Sequence, residues 1–294
     1  MLLAVPNCSE GRSLDAVREI VNAFHSEDTA LLDFHFDTEH NRTVVTLAGE
    51  PRALADAQLA GARAASESID MRSHTGAHPC IGALDVCPLV YLRPEDVEDA
   101  ARVALGVADA LADRLQIPVF LYGRLATSAQ RRERAYYRRG GLTELARRMR
   151  EGELKPDRGP GEPHPTAGAT LVTARPPLAA FNLLLDKRDL DAARAIAAEL
   201  RESGGGLPGV RAIALELEDG IQISTNVHDP VAVPLARVIA EVERIGSRYA
   251  ARPAMAEFVG LVPEAALEGF PRELALVDPD LDDHVIERRL AELG

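Results

Sequence analysis

The chain has 294 residues, is 46% hydrophobic and 27% charged, and carries a formal net charge of −13. That profile fits a globular protein of one large or two ordinary domains. Its acidity argues against nucleic acid as the main partner, because phosphate binding needs a basic surface. No apolar run approaches the roughly 20 residues that cross a bilayer, and the opening MLLAVPNCSEGR lacks the basic region of a signal peptide. No membrane role is expected. Three cysteines without a secretory signal suit a reducing cytoplasm better than a disulfide framework. Lys155 and Lys187 are the only lysines; neither sits in an apolar setting that would activate it, so Schiff-base chemistry is discounted.

In chain order, Met1 to Val5 reads as a strand stopped by Pro6, and Asn7, Ser9 and Gly11 read as a turn. Apolar residues at helical spacing predict a helix over Leu14 to Phe24, with Ser13 as its N-cap. Ala30 to Phe36 and Thr43 to Ala48 read as strands around a polar turn. A helix begins at Pro51 and runs to Ile69. The stretch Arg72 to Leu92, RSHTGAHPCIGALDVCPLVYL, follows. Gly76, Pro79 and Gly82 break regular structure there, so His74 and His78 sit on an irregular loop leading into the apolar strand Val86 to Leu92. Such loops are frequent carriers of function. Histidine titrates near neutrality, which makes His78 a first candidate for acid–base work.

Pro94 opens a helix running to Leu115. Ile117 to Tyr122 reads as a strand, and an arginine-rich helix follows. Lys155 to Gly168, KPDRGPGEPHPTAG, is a linker or a binding loop. Beyond it lie strands at Ala169 to Ala174 and Ala179 to Leu185, and a helix over Leu190 to Arg201. A hairpin of Ile213 to Leu217 and Ile221 to Asn226 turns around Asp219-Gly220. A helix at Val233 to Ile245 and a strand at Glu257 to Val262 close the series. Both halves show a β-α-β-β-α-β order. The expected class is α+β: two α/β subdomains, each a mixed or antiparallel sheet with helices on one face.

These motifs resemble those of the glutamate formimidoyltransferase (formiminotransferase) family. VPNCSEGR at Val5 to Arg12 is similar to the family's VPNFSEGR, and HPCIGALDVCP at His78 to Pro88 to its HPRMGALDVCP. LLDFHFDTEHNRTVVTLAG at Leu31 to Gly49, LYG at Leu121, HPTAGAT at His164, AFN at Ala180, QISTN at Gln222 and VGLVP at Val259 follow in family order. The resemblance implies subdomains at 1–177 and 178–294, a homodimer, and a cytoplasmic enzyme of histidine degradation and one-carbon metabolism. Such an enzyme moves a formimidoyl group from N-formimidoyl-L-glutamate to tetrahydrofolate, which is a co-substrate, without a metal. It also implies that His78 is the catalytic base. The folate loop would comprise Gly159, Pro160, Gly161, Glu162, Pro163, His164, Pro165, Thr166, Ala167 and Gly168.

Substrate contacts are expected from Asn7, Ser9, Glu10, His35, Arg42, His74, Cys80, Asn182, Thr225 and Asn226. For Asn7, Ser9 and Glu10 a helix-start turn is the competing role, and for His164 a turn-stabilising one. Arg42 could hold a carboxylate in a bidentate fork. A metal site of His74, His78, Cys80 and Cys87 has suitable ligand types, yet Cys87 falls in an apolar strand where cysteine usually packs as a small hydrophobe.

Three positions depart from the family pattern. Cys80 stands where the family has the arginine of HPR, His35 where it has an acid, and Leu184 where AFN-x-N has its second asparagine. Asp37, two residues past His35, shares its strand face and could compensate. The departures leave open a divergent member that binds folate or a related anion, or uses a different donor, without the standard transfer.

Overall fold

A computed structural model describes residues 1–293. The chain divides into two compact units, Met1–Arg175 and the segment from Pro176 onward. The first unit runs β1 (Leu2–Ala4), β2 (Asn7–Cys8), α1 (Leu14–Phe24), β3 (Thr29–Asp37), β4 (Arg42–Gly49), α2 (Pro51–Ser68), β5 (Leu84–Val90), α3 (Val97–Leu115), β6 (Val119–Leu121), α4 (Arg134–Arg138), α5 (Gly141–Arg150) and β7 (Thr170–Arg175).

Its seven strands form one sheet. β1 and β2 both lie between β4 and β5, antiparallel to each. They amount to one strand interrupted at Pro6, which cannot donate a ladder hydrogen bond. Asn7 and Cys8 are therefore sheet residues, where a turn had been expected. β3 pairs with β4, while β5, β7 and β6 run parallel.

Period-two alternation splits the parallel strands between two cores. Cys87, Leu89 and Val172 join α1, α2 and α3 in the main core. There Phe24 lies against α2 at Gly61, where an added Cβ would sit 2.2 Å from the ring. Val86, Phe120 and Leu171 face the other way, onto Tyr137, Leu145 and Met149 of α4 and α5. The expected α+β class holds, with an addition: α4 and α5 cover part of the second sheet face. The expected single arginine-rich helix is two helices, because Gly140 and Gly141 take φ of +75° and +69°, left-handed values that end a helix.

The second unit runs β8 (Ala179–Leu185), α6 (Leu190–Leu200), β9 (Val210–Leu217), β10 (Gly220–Val227), α7 (Leu235–Gly246), β11 (Pro253–Phe258), β12 (Ala275–Leu276) and α8 (Ile286–Ala291). The sheet order is β12-β11-β8-β10-β9. β9 and β10 form the expected hairpin, turning through Glu218 and Asp219. α6 and α7 bury one sheet face through Phe181, Leu183, Ile196, Ile223 and Val238. The last long strand lies earlier than expected, because Gly260 at φ +80° breaks the run past Phe258.

No helix among the described residues is long and apolar enough to cross a membrane.

Candidate active site

One end of the first sheet gathers three segments. They are the end of β2, the β3–β4 turn over residues 38–41, and the loop over residues 69–83 that leads into β5. The turn bends through Asn41 at φ +50°, a conformation that Asn adopts more readily than most residues. Asn41 then ties the segments together. Its Oδ1 accepts from Gly11 N at 2.9 Å, and its Nδ2 donates to Thr75 O at 2.9 Å. Ala77 N donates to Glu39 O at 2.9 Å. Gly76 allows that approach, since a Cβ there would come within 2.5 Å of His40 O.

Asn7, Cys8, Ser9, His40, Asn41, Arg42, His78, Cys80 and Asp85 line a narrow cleft at this junction. His78 keeps part of its surface open yet is sunk among neighbouring atoms. Burial, reinforced by the charges of Arg42, Arg138 and Arg134 and by His40, holds its imidazole well below the usual histidine range. Arg42 Nη1 lies 3.2 Å from Nε2 and 3.4 Å from Nδ1 of His78. At neutral pH His78 is thus an unprotonated base. Cys80 also lines the cleft, but burial and the Asp85 charge push its thiol up to about 11, so it stays protonated and is a poor nucleophile.

Beneath them a buried ion pair joins Arg138 of α4 to Asp85 of β5, with side chains 9% and 4% exposed. Asp85 Oδ1 also accepts from Ile81 N at 2.7 Å, fixing the loop just past Cys80. Arg138, Asp85 and His40 were missed in the sequence. A lone acid inside the apolar run Ile81 to Val90 was the available signal for Asp85. Arg138 and His40 carried none, being among many charged residues of a helix and a turn.

The other expected contacts separate. Ser9 Oγ donates to Gly82 O at 2.7 Å, and Asn7 Nδ2 to Val5 O at 2.9 Å. Glu10 Oε1 accepts from Arg12 N and Ser13 N at 2.7 and 2.9 Å, which is the turn role at the start of α1. His74 lies behind the cleft wall, with Nδ1 3.3 Å from Asn41 Nδ2. His35 sits opposite Val44 in the β3–β4 ladder and outside the cleft lining. Asp37 uses Oδ1 to accept from His40 N at 2.6 Å, so it shapes the turn. Cys87 points into the main core, 2.9 Å from Gln58 Oε1, away from His78.

The glycine- and proline-rich loop meets the His78 loop only at its far end. Thr166 O accepts from Met71 N at 2.8 Å and Ala167 O from Ala83 N at 2.9 Å. The loop's start at Gly159 lies instead near Ile117 and Ala112. His164 Nδ1 accepts from Thr166 N and Ala167 N at 3.3 and 3.0 Å, so the ring closes its own turn. In the second unit, Asn182 Nδ2 donates to Glu257 Oε2 at 2.8 Å and Gln222 Nε2 to the same oxygen at 3.2 Å. Strand alternation places Asn226 on that face. Thr225 falls on the opposite, helix-covered face, where its hydroxyl donates to Phe181 O at 2.5 Å.

A sequence profile of the formiminotransferase domain, N-terminal subdomain, matches residues 1–175. Over 290 residues the chain is 35% identical to a glutamate formimidoyltransferase of Streptococcus pyogenes serotype M1, spanning 97% of each chain. Over 291 residues it is 35% identical to a glutamate formimidoyltransferase of Thermoplasma acidophilum, spanning 97% of this chain and 96% of that one. A formimidoyltransferase-cyclodeaminase of Rattus norvegicus is 36% identical over 272 residues, covering 90% of this chain and 50% of its own. The α+β fold and these likenesses place the protein among transferases of one-carbon groups. It belongs to the glutamate formimidoyltransferase (formiminotransferase) family.

Proposed function

We propose that the chain transfers the formimidoyl group of N-formimidoyl-L-glutamate to N5 of tetrahydrofolate, with His78 as the general acid and base. The observation that carries this reading is the neutral, partly open imidazole of His78 at the head of the cleft. N5 attacks the formimidoyl carbon, forming a tetrahedral intermediate, and His78 takes the proton that N5 loses. The same proton passes to the departing glutamate nitrogen as its bond to carbon breaks, so the imidazole ends neutral. One positioned imidazole is worth roughly 10²–10⁴-fold in such a step, and holding both substrates together adds to this.

Cys80 brings no cation for the glutamate carboxylates, and Arg42 and Arg134 supply local positive charge in its place, the charge of Arg138 being paired with Asp85. We infer further that the second unit is the C-terminal subdomain, and that the loop from Gly159 to Gly168 contacts the folate near its Thr166 end. A cytoplasmic homodimer is our reading of the assembly. Edge strand β3 supports it, since Phe34 and Phe36 stand exposed there with rings 6.5 Å apart, an unusual surface for a lone monomer.

The test is formimidoyl transfer by purified protein, wild type beside His78→Ala. The expected result is turnover that falls at least about 10²-fold in the variant. Folate binding without turnover in the wild type would move the chain to the binder reading.

A further inference from the structure

His40 is 3% exposed, and both of its ring nitrogens are buried without a hydrogen-bond partner. Buried polar atoms are nearly always satisfied, and an exception calls for an explanation. The ring borders the cleft. It lies 6.1 Å from the His78 ring, centroid to centroid, with the planes inclined at 51°, so the two imidazoles neither stack nor hydrogen-bond. The backbone of His40 is held on both sides. Its N–H donates to Asp37 Oδ1, and Gly76 packs closely against its carbonyl. The turn is therefore built to keep a polar ring with open valences at the wall of the cleft.

An imidazole in its neutral form offers one donor and one acceptor. A carboxylate needs donors alone, whereas a formimidoyl group, basic and so protonated at neutral pH, presents N–H groups that need an acceptor. With Arg42 against both nitrogens of His78, the ring across the cleft is the one with both nitrogens uncommitted. We propose that His40 is a substrate-contacting residue whose unprotonated ring nitrogen accepts a hydrogen bond from an N–H of the transferred formimidoyl group and holds its carbon toward His78. This assignment deepens the transfer reading above and rests on it for the identity of the donor.

The experiment pairs kinetics with a direct view of the ring. Transfer is measured for wild type, His40→Phe and His40→Asn. The phenylalanine keeps a flat ring without polar atoms, and the asparagine restores one donor and one acceptor. The expected result is a loss of about 10- to 100-fold in kcat/KM for the donor with His40→Phe. The tetrahydrofolate KM should be unchanged, and His40→Asn should recover part of the loss. The ¹⁵N signals of the His40 ring are then followed in wild type while N-formimidoyl-glutamate, formamidine or glutamate is added. Both formimidoyl-type probes should move them and glutamate should not. If wild type transfers the group and His40→Phe matches it, the His40 assignment is overturned and the transfer reading stands. If wild type transfers nothing yet formamidine still moves the ring signals, the transfer reading falls and the contact stands. Signals that answer to glutamate alone, or to none of the three probes, overturn the contact.

Discussion

Arg42 sets a permanent cation against both nitrogens of His78, with Nη1 3.2 Å from Nε2 and 3.4 Å from Nδ1. Arg42 begins β4 and pairs in register with Asp37 across the hairpin, so the sheet itself positions that charge. The consequence is an imidazole that stays unprotonated at neutral pH and resists protonation below it.

That arrangement makes the pH profile of the reaction diagnostic. On the proposed mechanism His78 must be neutral to act, and its proton affinity is lowered by burial first and by the arginines second. The acid limb of kcat/KM, which reports the free enzyme, should therefore fall below the ordinary histidine value of about 6.5. Replacing Arg42 by Met should move that limb upward toward 6.5 while lowering the maximum rate. Rate measurements between pH 4.5 and 8 check both.

Stability should follow the same group. Between its folded value and about 6.5, His78 binds fewer protons folded than unfolded. Stability therefore rises with pH across this window and is lost as the pH falls through it. Urea melts of wild type at pH 7.5 and 5 should show a larger drop than melts of His78→Phe.

Asp85 and Arg138 form a pair with side chains 4% and 9% exposed. Asp85→Asn keeps the size and an acceptor for Ile81 N but leaves the arginine's charge uncompensated in a buried place. Stranding a buried charge costs about 3–5 kcal/mol, and a urea unfolding curve should show a loss of that order.

Gly168 marks where the glycine- and proline-rich loop closes onto the His78 loop. Its φ is +71°, and an added Cβ would sit 2.2 Å from Ile81 O. Gly168→Ala should cost about 2 kcal/mol or more and lower transfer activity, whereas alanine at Gly152, where a Cβ meets nothing within 4 Å, should cost less. Thermal melts and turnover of the two variants check this.

Much of the fold is legible in the sequence. The apolar spacing from Leu14 to Phe24 marks α1, with its cap Ser13 accepting from Ala16 N at 3.3 Å. Pro51 marks the start of α2. The strand breaks were harder to read. Asn7, Ser9 and Gly11 look like a turn because of their residue types, yet β4 and β5 on either side recruit Asn7 and Cys8 as a strand. The arginine-rich stretch reads as one helix on composition, and the backbone at Gly140 and Gly141 divides it.

The candidate site divides in the same way. His78, Cys80, Arg42, Asn7 and Ser9 were visible as motif residues and do meet at one cleft. Chemical type and local spacing, which a sequence carries in full, determined the α+β class and the histidine-bearing loop before β5. Only the tertiary structure decided what surrounds that histidine. Residues far apart in the chain become neighbours only when the sheet orders its strands, and burial and charge act through space. So it was the packing of β4, β5 and α4 that brought Arg42, Asp85 and Arg138 around His78, left both nitrogens of His40 without partners, and turned Thr225 toward the helices.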